Sequence, residues 1–182
     1  MDEVFSAYKD NSISNRNVNS HAFHRRLLRL SSALQKNIQS FDEIPTASSL
    51  TPIFGTNELS FAFMNISKFS NPSDSYPSDY ELINKSVEMS TSSLNFLAEE
   101  ISLLKPDLII TMNVEDYFEN LGKISLVDNG NAFVHAHELA LKERRVLILN
   151  TYHFSATKKK DKEHFHDAIL EVFNKHRIKY SL

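Results

Sequence analysis

The sequence predicts an α/β domain with a short, mainly parallel central sheet. Three apolar runs carry that prediction, at residues 60–66, 107–113 and 146–149. Each is rich in β-branched or aromatic side chains and short enough for a buried strand. Between and after them, apolar residues recur at three-to-four spacing, as on amphipathic helices. Strand alternating with helix is the pattern of a sheet covered on both faces, a three-layer sandwich.

In chain order, residues 1–19 read as a polar arm, dominated by Ser and Asn. From Ser20, a plausible N-cap, Phe23, Leu27, Leu28, Leu30 and Leu34 define a helix. Arg25, Arg26 and Arg29 fall on its other faces, as a solvated surface or as contacts to nucleic-acid phosphates. Pro45, Pro52 and Gly55 make 41–59 a loop. The 60–66 strand ends at Asn65–Ile66, and 70–79 form a second polar loop. A long helix is expected over 80–104, with Leu82, Val87, Leu94, Leu97, Ile101 and Leu104 as its stripe. Lys105-Pro106 stops it, because proline disfavours a helical residue before it. After the strand ending at Asn113, residues 114–121 form a short helix closed by Gly122. Short strands at 124–127 and 132–134 and a helix at 137–144 are expected before the 146–149 strand. A last helix spans 161–176. No repeat or linker divides the chain, so 20–182 read as one domain behind the arm.

Composition excludes several function classes. There are no cysteines, which rules out disulfides, zinc thiolates and cysteine-held iron–sulfur clusters. Three scattered glycines, Gly55, Gly122 and Gly130, cannot build a phosphate cradle of the Walker or dinucleotide type. No apolar run approaches the roughly 18 residues of a membrane span, and Met1-Asp2-Glu3-Val4-Phe5 lacks the basic and apolar regions expected of a secretory signal. A cytoplasmic protein with no membrane partner and no cofactor is expected. The net charge of −3 argues against a polyanion binder as a whole, while leaving room for a local basic patch.

Chemistry is expected where strands end, since ligands of open α/β sheets sit outside the carboxyl ends of strands. Asn65, Asn113 and His153 stand there. Asparagine offers a donor and an acceptor to a nucleobase edge, or simply ends a strand in a turn. Histidine donates to a carbonyl or steadies a leaving group. Ser155 accompanies His153, and Phe154 offers a ring for stacking or for the core. Lys158, Lys159 and Lys160 follow directly, either as a solvated charge run or as phosphate contacts beside a flipped nucleotide.

Phe61-Ala62-Phe63-Met64-Asn65-Ile66-Ser67-Lys68, the helix running into Lys105-Pro106-Asp107-Leu108-Ile109-Ile110, and Leu147-Ile148-Leu149-Asn150-Thr151-Tyr152-His153-Phe154-Ser155 together resemble the uracil-DNA glycosylase superfamily. The resemblance implies that Asn65 reads the base edge and that His153, with Ser155, occupies the place of the family's His-Pro-Ser motif. It implies DNA as partner, Lys68 and Lys158–Lys160 along the backbone, and excision of a damaged or deaminated base by N-glycosidic hydrolysis without a metal. Phe154 stands where the family has proline, and no Gly- and Pro-containing loop precedes the Phe23 helix. Enzyme status is therefore left open beside an alternative: an inactive module of the same fold, binding protein or DNA through the Arg25-Arg26-Arg29 helix.

A rival reading comes from the histidines. His135 and His137 alternate, which on a strand turns both imidazoles to one face, as a ligand pair requires. His153, Glu138, Asp167, His164 and His166 are the further donors available nearby in sequence. That arrangement corresponds to a hydrolytic metal centre.

Overall fold

The structure, a computed structural model, describes residues 12–13, 16–56, 58–66, 80–90 and 95–182. Among these it is mixed α/β, with a four-stranded open sheet and six α-helices. A two-residue ladder, β1 (Ser12–Ile13) with β2 (Arg16–Asn17), stands apart from that sheet. Helix α1 (Ala22–Lys36) buries Leu27, Leu28, Leu30 and Ala33. Its N-cap is His21, not Ser20, because Val18–Ser20 already form a 3-10 turn capped by Asn17. It ends at Asn37 in the left-handed region, a conformation asparagine tolerates. The loop that follows contains a short helix, α2 (Ala47–Leu50).

The main sheet is built from β3 (Leu108–Met112), β4 (Lys123–Asp128), β5 (Val134–Ala140) and β6 (Arg145–Thr151), in the order β3-β6-β5-β4. Only β3 and β6 run parallel; β6–β5 and β5–β4 are antiparallel. The expected mainly parallel sheet is corrected to a mostly antiparallel one. The cause is the short connections after β4 and β5, which join antiparallel neighbours, whereas a parallel pair needs a long crossover. His137 to Ala140, expected in a helix, are part of β5. Its residues alternate between a buried and a half-polar face, so strand period wins over helix period.

The segment 60–66 is not a strand. Phe61 packs on the α1 side of the sheet and Met64 and Ile66 on the other, so the segment crosses from face to face. The expected long helix is two helices, α3 (Tyr80–Glu88) and α4 (Phe96–Leu104). Asn95 starts the second: its Oδ1 accepts from Ala98 N at 3.0 Å and its Nδ2 donates to the Asn120 carbonyl at 2.6 Å. Helix α4 stops at Lys105, as Pro106 requires. Helix α5 (Phe118–Leu121) ends at Gly122, and a π-helical turn (Lys162–His166) leads into α6 (Asp167–His176).

Strand β6 lies between two neighbours, and its Val146, Leu147, Ile148 and Leu149 are fully buried. Leu147 and Leu149 pack with α1 and α6 residues, while Ile148 packs with Leu97, Ile101, Phe118 and Leu121. Helices thus cover both faces, which explains a central strand that is apolar throughout.

Candidate functional site

Two clusters of chemistry-bearing side chains stand at the carboxyl end of the parallel pair, one on each face. On the α1 side, β6 ends at Thr151 and delivers His153 into a turn in which Ala156 N donates to the His153 carbonyl at 2.9 Å. The Ser155 N–H donates to His153 Nδ1 at 3.2 Å, and the Ser155 hydroxyl lies 2.6 Å from the same nitrogen. A nitrogen that accepts an N–H carries no proton, so the neutral ring holds its hydrogen on Nε2. Burial against its neighbours lowers the His153 pKa, which keeps the imidazole neutral around pH 7, although an edge remains exposed. Phe23 is the neighbour: its ring lies 5.6 Å from His153 and 5.7 Å, stacked, from the half-exposed Phe63. Phe23 is thus the aromatic neighbour of His153, with Phe63 stacked on Phe23, an arrangement that spacing along the chain does not reveal.

The other expected site residues divide. Asn65 is exposed two residues beyond Phe63. Asn113 is exposed just past β3, in the left-handed region at φ 56°, its N–H donating to the Thr151 carbonyl at 3.1 Å. It therefore sits beside the strand end that carries His153. Phe154 is fully buried between Phe23 and Phe165, so it is core and offers no stacking face to a base. Lys158 is exposed. Lys159 lies over the Tyr152 ring at 3.9 Å, and Lys160 pairs with Glu163 at 2.8 Å. Lys68 lies outside the described residues.

The α1 arginines are engaged internally. Arg25 and Arg26 both bind Asp161, at 2.7 Å each. Arg29 lies over the Phe41 ring at 4.0 Å and donates to the Phe41 carbonyl. Helix α1 therefore clamps the turn after β6 and presents no free arginine face to a partner.

On the opposite face, β5 turns His135 and His137 the same way, alongside Leu139 of the α4–α5 core. Glu115, in a 3-10 turn after β3, reaches both: its Oε1 is 3.2 Å from His135 Nδ1 and 3.3 Å from His137 Nε2. Burial would raise the Glu115 pKa, but hydrogen bonds from His135, Asn150 and His137 hold it below the usual carboxylate range. Thr111 donates to Asn150 Oδ1 at 2.8 Å, which leaves the Asn150 amide N–H groups for Glu115. Phe118 packs edge-on against His137 at 4.9 Å.

The wider histidine cluster does not form. Glu138 is buried on the other face, accepting from Tyr180, Arg145 and Lys179. Asp167 pairs with His166, and His164 accepts from Lys160 N and lies against Phe133.

No family model matches the chain, and no curated protein or solved structure matches it either.

Proposed function

We propose that the chain is a uracil-DNA glycosylase-like protein that binds a DNA base on the His153 face and excises it by N-glycosidic hydrolysis. The single observation that carries this reading is the His153 tautomer. With Nδ1 occupied by Ser155, Nε2–H is the group left to donate to a base carbonyl or to the anion that departs. Phe23 supplies ring surface beside it and carries the stacked, half-exposed Phe63, while Asn65 is exposed two residues beyond Phe63 and Asn113 is exposed at the adjoining strand end. The reading draws nothing from Phe154 or from the α1 arginines.

One observation favours the alternative, a non-catalytic module of the same fold. Lys159 and Lys160 are engaged and only Lys158 of that run stands clear, so the phosphate footprint is thin. A DNA complex should then show a shallow salt slope, of about one to two phosphates at roughly −0.9 per contact.

Release of uracil from single- and double-stranded oligonucleotides tests the choice. The active reading expects release that falls by about 100-fold or more in His153→Ala, the range for loss of an oxyanion-type donor. Release indifferent to His153 would sink it. DNA binding without release, weakened by His153→Ala, would leave the module.

A further inference from the structure

We propose that Glu115, His135 and His137 form a binding site for one divalent first-row transition-metal ion, zinc in the first instance, with a coordination position left to solvent or a small ligand.

The argument begins with the chemistry of the donor set. Two imidazoles and one carboxylate are a ligand set for zinc, which when catalytic keeps a fourth position open. Hard oxygen-seeking ions such as magnesium and calcium do not favour it. The geometry is specific in turn. Both imidazole nitrogens converge on one carboxylate oxygen at 3.2 and 3.3 Å, and the three donor atoms lie within 4.8 Å of one another. Bonds of about 2.0–2.1 Å at tetrahedral angles separate neighbouring ligand atoms by about 3.3–3.4 Å. The two recorded separations therefore match edges of such a polyhedron.

The sheet fixes these positions. His135 is paired in register with Asn150 of β6, and Asn150 with Thr111 of β3, so one row across three strands carries a ligand and its support. Thr111 donates to Asn150 Oδ1 and so leaves the Asn150 amide N–H groups as donors available to the Glu115 carboxylate, the kind of outer support that aims a ligating carboxylate. His137, one rung along opposite Ile148, is steadied by Phe118. Access is not blocked: the side chains of Glu115 and His135 are 44% and 48% exposed, and that of His137 is 12% exposed. The site lies on the face opposite His153, so its fate does not decide the reading above.

Calorimetric titration of the metal-free chain with zinc chloride, followed by ring-proton NMR, tests this. The expected result is one ion per chain, with the His135 and His137 ring signals moving together. Cobalt should bind in competition and give the intense visible absorption of a four- or five-coordinate ion; magnesium should not compete. His135→Ala and Glu115→Gln, both at exposed positions, should weaken zinc by at least about 100-fold, and Asn150→Ala by about 10–100-fold. His164→Ala, elsewhere on the chain, should leave the affinity unchanged. No heat and no movement of the two ring signals would overturn the proposal. So would equal affinity in a His135→Ala, His137→Ala double variant whose circular dichroism is native.

Discussion

Arg26 decides whether the turn carrying His153 holds its shape. Its guanidinium donates to Asp161 at 2.7 Å and to the carbonyls of Phe154, Ala156 and Lys159, and it lies 4.3 Å above the Phe165 ring. Its side chain is 4% exposed, against 26% for Arg25 on the same carboxylate. Removing one partner of a buried ion pair strands the other charge, which costs about 3–5 kcal/mol, whereas an exposed pair contributes about 0–1 kcal/mol. Arg26→Ala should therefore lower the free energy of unfolding by about 3 kcal/mol or more, and Arg25→Ala by about 1 kcal/mol. Urea unfolding checks both, and equal losses would refute the ranking. This role was not legible in the sequence. An arginine flanking an apolar stripe reads as solvated until the turn it clamps, more than a hundred residues away, is placed in space. Glu115 was hidden for the same reason, since only the β3–β6–β5 pairing brings it to His135 and His137. The shared face of the two histidines was only half legible: strand period gives it once both lie in one strand, but a strand expected to end at 134 and a helix expected from 137 would have parted them.

At the scale of elements, strands β3 and β6 and helices α1, α4 and α6 follow the apolar periodicity, because each buries a continuous stripe. The segment 60–66 shares the apolarity but not the role. Ala62, Phe63 and Asn65 are exposed, so the run covers two faces of the sheet without joining it. Apolar content alone cannot distinguish a strand from such a strap, since both bury side chains and only one finds backbone partners. The β4–β5 turn shows how the antiparallel half is held. Gly130 sits at φ 62°, its N–H donating to Asp128 Oδ1 at 3.0 Å, and Asn131 Oδ1 accepts from Phe133 N and Val134 N at 3.0 Å. A Cβ on residue 130 would run into the Val134 carbonyl oxygen and come within 3.3 Å of Val172. Gly130→Ala combines that clash with a left-handed backbone, so it should cost about 2 kcal/mol or more. A loss no larger than that of a surface Gly→Ala change, read from thermal unfolding, would show that the turn yields.

Over the whole molecule, three carboxylates tie the last part of the chain to the rest. Asp161 meets Arg25 and Arg26, Asp128 meets Lys175 and His176, and Glu138 meets Lys179 and Tyr180. Burial acts to raise the Asp161 pKa, yet its arginine hydrogen bonds hold it below the ordinary range. Hydrogen bonds, from Lys175 first, lower Asp128 to about 2, and those from Tyr180 and Lys179 lower Glu138. A carboxylate with a depressed folded pKa stabilises the fold above its unfolded pKa, near 4, and that stability disappears as pH falls through the folded value. His24 acts in an earlier window. Burial, with His21 beside it, lowers its pKa to about 4 from 6.5, so the neutral ring is favoured and stability declines as pH falls from 6.5 to 4. The His24 ring is partly buried in α1, so this loss belongs to the folded protein and is complete by about pH 4. Urea midpoints should therefore drop gently between pH 6.5 and 4 and steeply below 4. His24→Phe should shrink the first stage, to which His153 and His137, also lowered by burial, contribute the rest, and Asp161→Asn should lower stability at pH 7 while shrinking the second. A single transition near pH 6 that both variants leave unchanged would mean that neither the ring nor the arginine-bound carboxylate governs the acid response.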